Sequence, residues 1–281
     1  MKKLLFSLSA ALFLLSACQK ENSLEAPDNS PGGGGNTSQG LLRRVVLVAG
    51  ADSTAADFTY DGSKRLETFT STSTGGGNTF KRIVRNAAGV MVQFVTKSDD
   101  WQTAGVDSVV SNVAVDAQNR YKNSTFSLTL GNVTYNDSTV YNYDGNGNLA
   151  EKVSFAQVLP APFTTYQRVE YTYGSGNVLS EKYYEMGTTG GWKLLATYGY
   201  AYDAKTNPVK LGLEAMIALD DGTYFSNNNV INLTIADPAD PSNNVSIATT
   251  YTYNSANKPS GGTATESSSS GTYTLRYYYY N

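Results

Sequence analysis

Tyr141-Asn142-Tyr143-Asp144-Gly145-Asn146-Gly147-Asn148-Leu149, YNYDGNGNL, admits three readings: a metal loop, a sugar-binding aromatic patch or a turn. Its relatives elsewhere in the chain decide among them. Similar nonapeptides start at Phe58 (FTYDGSKRL), Ile83 (IVRNAAGVM), Val113 (VAVDAQNRY), Tyr171 (YTYGSGNVL), Tyr200 (YAYDAKTNP) and Tyr251 (YTYNSANKP). With Tyr141 included, successive starts are 25, 30, 28, 30, 29 and 51 residues apart. Such spacing marks a repeated supersecondary unit, with one unit degenerate or inserted in the last interval.

Each position of the nonapeptide has a physical reason. Positions one and three are mostly aromatic or β-branched, as two same-face residues at a strand end should be. Position four is Asp or Asn at Asp61, Asn86, Asp116, Asp144, Asp203 and Asn254, short acceptors that bond the backbone N–H two residues on. Position seven is Gly89, Asn119, Gly147, Asn177 or Asn257, residues that tolerate positive φ where a turn re-enters a strand. Each copy therefore reads as a hairpin corner, with Asp61, Asn86, Asp116, Asp144, Asp203, Asn254, Gly89 and Gly147 as its structural turn residues.

The intervals between corners fit two strands of about ten residues and a second turn. In Asn148 to Val158, strict alternation puts Leu149, Val153 and Phe155 on one face and Lys152 and Ser154 on the other. Helical periodicity is confined to Leu211–Leu219, LGLEAMIAL, inside the long interval. The expected fold is all-β: an up-and-down antiparallel meander of about 16 strands, curled into a barrel or near-barrel. A lipid-facing wall would have to lack Lys152, Arg168, Glu170 and Glu181 at outer positions, so a water-soluble barrel with an apolar interior is expected.

The N-terminus reads as an address. MKKLLFSLSAALFLLSAC combines basic Lys2 and Lys3, an apolar run and small residues before Cys18, the pattern of a secretory signal. Leu15-Ser16-Ala17-Cys18 resembles a bacterial lipobox, which implies cleavage before Cys18 and a lipid on that cysteine. Gln19-Lys20-Glu21-Asn22 resembles the short signal that sends lipoproteins of Bacteroidota to the cell surface; an ordinary charged linker is the alternative. The expected divisions are a signal peptide at 1–17, a lipidated cysteine and flexible Gly/Pro/Ser tether at 18–40, and a single repeat-built β domain at 41–281. The Tyr-x-Tyr-Asp-x-x-Gly-x-Leu corners resemble YD-type repeats of the Rhs class. With the lipobox, the tether and Asn207-Pro208 before the long interval, the chain resembles a Bacteroidota lipoprotein family of unknown function with a porin-like fold. That resemblance implies a barrel and an outer-membrane, surface-exposed location, and brings no catalytic residues.

Composition removes most chemistry. The chain has no His and Cys18 is its one cysteine, which excludes Ser-His-Asp and Cys-His catalysis, imidazole metal sites and disulfides. A net charge of −3 with both signs dispersed gives no footprint for nucleic acid. Asp144, Asn146 and Asn148 open like a calcium loop, but Leu149 stands where that loop needs Gly and Phe155 where it needs Glu. Asp237 and Asp240 read either as a metal loop or as a solvated one. Ser255-Ala256-Asn257-Lys258 spells S-x-x-K across a corner, not on a helix. The paired acids Asp99-Asp100 and Asp220-Asp221 are the minimum for a carboxylate-only glycoside hydrolase, with turn or strand-end roles as the alternative. No cofactor and no metal is expected.

The 21 Tyr, 10 Phe and 2 Trp are a high aromatic load. Trp101 and Trp192 lie beside turn-like stretches and are the candidate binding platforms. Ser53, Ser108 and Ser138, each after Asp, resemble O-glycosylation acceptors of exported Bacteroidota proteins. The functional expectation is a lipid-anchored, non-enzymatic structural or binding module with a glycan or protein partner. A carrier of an apolar ligand inside the barrel is the alternative, and Leu211–Leu219 would then be a plug.

Overall fold

The computed structural model describes residues 40–268 and 271–280; the segments expected to form the signal peptide, the lipidated Cys18 and the tether up to Gln39 lie outside them. Sixteen antiparallel strands follow one another around a closed barrel. They are β1 (Leu42–Ala49), β2 (Asp52–Tyr60), β3 (Leu66–Ser73), β4 (Thr79–Arg85), β5 (Met91–Ser98), β6 (Val109–Val115), β7 (Tyr121–Leu130) and β8 (Val133–Tyr143). The second half continues with β9 (Leu149–Val158), β10 (Thr164–Gly174), β11 (Asn177–Met186), β12 (Trp192–Thr206), β13 (Asn228–Ala236), β14 (Val245–Tyr253), β15 (Pro259–Glu266) and β16 (Thr272–Tyr279). The meander closes where β1 pairs with β16, Leu47 opposite Leu275, so no sheet edge is left exposed among the described residues.

Five corners share one geometry. In the corner of Asp144 the backbone N–H of Asp144 donates to Asn148 O at 2.9 Å, and its Oδ1 accepts from the N–H of Asn146 and Asn148. Asp61, Asn86, Asp116 and Asn254 do the same at their own corners. Position seven of each takes positive φ: Lys64, Gly89, Asn119, Gly147 and Asn257. Two copies depart from the pattern. At Tyr171 the turn is shorter, with Ser175 and Gly176 carrying the positive φ, and Asn177 is already the first residue of β11. Asp203 accepts from the N–H of Lys205 two residues on at 2.9 Å, as expected of position four, but the expected hairpin corner is corrected: Asp203 lies within β12, where its carboxylate also accepts from Asn229 and Tyr253. Thr206 stands at position seven there, β-branched and unsuited to positive φ, and Asn207-Pro208 sends the chain inward.

The third position of the motif ties neighbouring corners together. Tyr143 Oη donates to Tyr121 O at 2.8 Å, Tyr173 to Leu149 O at 2.7 Å and Tyr60 to Leu42 O at 2.8 Å. Arg85, where a tyrosine is expected, makes the equivalent bond to Leu66 O at 2.9 Å. Tyr173→Phe removes one such bond from a half-buried site and is expected to cost about 1 kcal/mol, read as a lower urea midpoint at unchanged m-value.

Register shifts leave most corners, as between Asn142 and Tyr143 opposite Glu151 and Leu149. Each is a β-bulge, and one extra residue inverts the alternation beyond it. Leu149 points inward, but so do Lys152 and Ser154, while Val153 and Phe155 face out. The outer placement expected for Lys152 and Glu181 is therefore corrected: they are 6% and 1% exposed, inside the barrel. Arg168 and Glu170 remain on the outer wall, ion-paired at 3.0 Å. That wall is laced with polar cross-strand pairs, among them Thr59–Thr68, Gln93–Asn112, Asn142–Glu151 and Thr172–Ser180. The barrel also exposes apolar side chains, among them Tyr135, Val158, Leu159 and Phe163.

Candidate functional site

The lumen is the concave feature of the molecule, and its charges come from the bulged strands. The corner end is filled by Leu42, Phe58, Leu66, Met91, Leu149 and Val178, all 2% exposed or less. Between β12 and β13 the chain dips into the lumen, forming a short helix at Leu213–Leu219 and a 3-10 turn at Gly222–Phe225. Residues Ala215 to Leu219 are buried and apolar, so this helix plugs one end, with Glu214 in its first turn as its charged residue.

Inward-facing wall residues hold the plug. Arg85 pairs with Glu214, which also accepts from Tyr121 Oη at 2.6 Å. Lys81 Nζ donates to Ala218 O at 2.8 Å, satisfying a carbonyl at the helix C-terminus. Lys152 pairs with Asp220. Glu181 accepts from the Gly222 N–H at 3.1 Å, from Tyr200 Oη at 2.9 Å and from Tyr183 Oη at 2.8 Å. Burial first, and then repulsion from Asp221, hold the Glu181 carboxyl up at about 7. Burial likewise raises Asp221, whereas Lys152 holds Asp220 below the usual carboxylate range.

The plug divides the remaining space into two chambers that share Asp220. The wider measures about 750 Å³ and reaches the rim opposite the plug, where the exposed turn Gly75–Gly77 borders it. Hydroxyls line its wall: Ser71, Ser111, Ser124, Thr139 and Ser154. Phe94, Phe126, Tyr141 and Tyr166 supply rings among them. The narrower, about 180 Å³, is walled by tyrosines and aliphatic side chains.

The candidate platforms do not converge. Trp101 sits on a one-turn helix at Asp99–Thr103, capped by Ser98 Oγ, and borders the mouth of the wide chamber. Trp192 opens β12 on the outer wall, where the Arg168 guanidinium lies 4.9 Å from its ring and 4.3 Å from that of Tyr184. Ser53 lies near the start of β2, Ser108 in the segment before β6, and Ser138 on the outer face of β8 between the lumen-facing Asp137 and Thr139. Asp237 and Asp240 spend their carboxylates on backbone N–H groups of their own loop. Asp99 accepts from the Asn78 N–H at 3.0 Å, and Asp100 borders the wide chamber. Asp220 and Asp221 are at the end of the plug helix, inside the lumen beside Glu181.

Sequence reasoning missed Lys81, Lys152, Glu181 and Glu214 as lumen residues. For Lys152 the detectable signal was a charge three residues past position nine of its corner, Leu149, which is the inward position once a bulge is allowed.

No protein-family model and no curated protein matches this sequence. Its fold is shared with porin-like proteins. One, from Bacteroides uniformis, aligns over 85% of this chain and 98% of its own with a TM-score of 0.53 at 13% identity. Another, from Bacteroides vulgatus, aligns over 86% and 99% with a TM-score of 0.52 at 11% identity. The porin-like fold that the sequence resemblance implied is present, and at these identities the fold is what is shared. Kinship to YD-type repeats rests on the corner residues alone.

Proposed function

We propose that this protein is a non-enzymatic binding module, anchored at the outer membrane through lipid on Cys18 and displayed at the cell surface, that takes a glycan into the wide chamber of its lumen. The observation that carries this reading is the chamber itself: a space of about 750 Å³, within the size of small-ligand sites. Its buried serine hydroxyls match a polyhydroxylated ligand, and its interspersed rings match the apolar faces of sugars.

Chain direction supports the same reading. Gly40 bonds to Tyr280 O and is held by Lys258, at the plugged end with the corners. A tether leaving there would turn the open mouth away from the membrane. Against a carboxylate-only hydrolase, Glu181, Asp220 and Asp221 are each engaged with the plug or the wall. An apolar carrier has a footing only in the narrower chamber, whose volume admits a short ligand.

The test is glycan-array binding of the soluble domain followed by titration of variants. Trp101→Ala is expected to weaken binding severalfold, since stacked rings contribute about 1 kcal/mol, while Trp192→Ala leaves it unchanged. The opposite ranking would move the site to the outer wall.

A further inference from the structure

We infer that the narrower chamber is a second site, specific for a small organic ammonium ion. It rests on that chamber alone and not on glycan binding in the wider one. Its walls include Tyr183, Tyr198, Tyr200, Tyr251 and Tyr277, and its end carries the carboxyls of Glu181, Asp220 and Asp221, with no Lys or Arg among the lining residues described. Lys152 answers Asp220. Glu181 and Asp221 accept hydrogen bonds from neutral donors, namely tyrosine hydroxyls, Thr223 and the Gly222 N–H, and neither is in a direct ion pair among the described residues. Directly across from Glu181 on the inner face of β10, Tyr171 is 6% exposed, and its hydroxyl has no hydrogen-bond partner among the described residues. At this end of the chamber Glu181 and Asp221 thus present carboxyls that meet only neutral donors.

The chemistry selects a cation. Tyrosine faces carry negative quadrupole density and attract ammonium groups within about 6 Å of the ring centre. An anion would be repelled, and a neutral apolar molecule would leave the Glu181 and Asp221 carboxyls without a cationic partner. A volume of about 180 Å³ is near that of cavities of about 150 Å³ that hold one benzene, so the cation is a few carbons in size, a primary or quaternary alkylammonium.

The test uses the soluble 19–281 chain with n-butylammonium, tetramethylammonium, n-butanol and butyrate as probes, read by calorimetry and thermal shift. Either ammonium is expected to bind and raise the unfolding temperature, at least tenfold more tightly than n-butanol, with no binding of butyrate. Asp221→Asn, which keeps the cap on Thr223, is expected to weaken ammonium binding at least tenfold. Tyr198→Leu should weaken it severalfold, whereas Tyr198→Phe, which keeps the ring, should not. Equal binding of n-butanol, absence of ammonium binding to the wild type, or full affinity in Asp221→Asn would overturn the inference. If Asp221→Asn does not fold, the Tyr198→Leu and Tyr198→Phe pair decides it.

Discussion

Replacing Glu181 by Gln is expected to flatten the pH dependence of stability between pH 5 and 8. In the folded barrel, burial and the neighbouring Asp221 hold the Glu181 carboxyl at about 7, against an ordinary value of 4.5. A carboxyl raised on folding stabilises the native state fully below its unfolded pKa, and that contribution is lost as pH rises through the folded value. A pKa that differs by one between the folded and unfolded states corresponds to about 1.4 kcal/mol, so the wild type should lose about 3 kcal/mol from this group by pH 8. Glutamine keeps the shape and an acceptor for the Gly222 N–H but does not titrate. The corner aspartates Asp61, Asp116 and Asp144 are held low by their turn hydrogen bonds, and their contribution is lost only as pH falls, outside this window. Asp221 is raised as well and leaves a smaller slope of the same sign. Urea unfolding of both proteins at pH 5, 6, 7 and 8 measures the effect; parallel curves would show that Glu181 is not the group responsible.

The second large effect is at Glu214. This residue is the plug's link to Arg85, whose side chain is 8% exposed, and to the hydroxyl of Tyr121. Glu214→Ala leaves a buried guanidinium short of its main partner. Breaking a buried pair from one side costs roughly 3–5 kcal/mol, and the lower end applies because Asp61 still lies 3.4 Å from Arg85. The double variant Glu214→Ala with Arg85→Met should recover much of that loss, because the charge left stranded is then gone. A double variant no more stable than Glu214→Ala would mean that the plug is held by packing of its apolar helix, not by this pair.

Much of the architecture was legible because hairpin corners are made by local chemistry. Asp144 caps its own turn, Gly147 supplies positive φ, and the recurrence of that pair about every 30 residues implied a meander of about 16 strands. The inside and outside of the wall were not legible in the same way. Strict alternation assigned Lys152 and Glu181 to the exterior, and the bulge after each corner, which needs no distinctive residue, reversed them. Asp203 misled for a related reason: the first half of its corner is present, but Thr206 and Pro208 cannot complete the turn, so the chain continues into the lumen. The plug helix at Leu213–Leu219 was visible as the one segment of helical period, while its wall partners, 41 to 137 residues away in sequence, were not. Trp101 and Trp192 look alike in sequence, each beside a turn. Only the closed barrel separates the one at the chamber mouth from the one stacked under Arg168 on the outer wall.

The claim that ligand enters the wide chamber is tested most directly by filling it. Ser154 is 7% exposed, faces the lumen and bonds to Thr139 Oγ1 at 3.0 Å. Ser154→Trp places an indole in a space of about 750 Å³ without touching the outer wall. Titrating the same glycan against the wild type and this variant should show at least a tenfold loss of affinity with a retained cooperative unfolding transition. Undiminished binding by a folded Ser154→Trp variant would contradict a lumenal site.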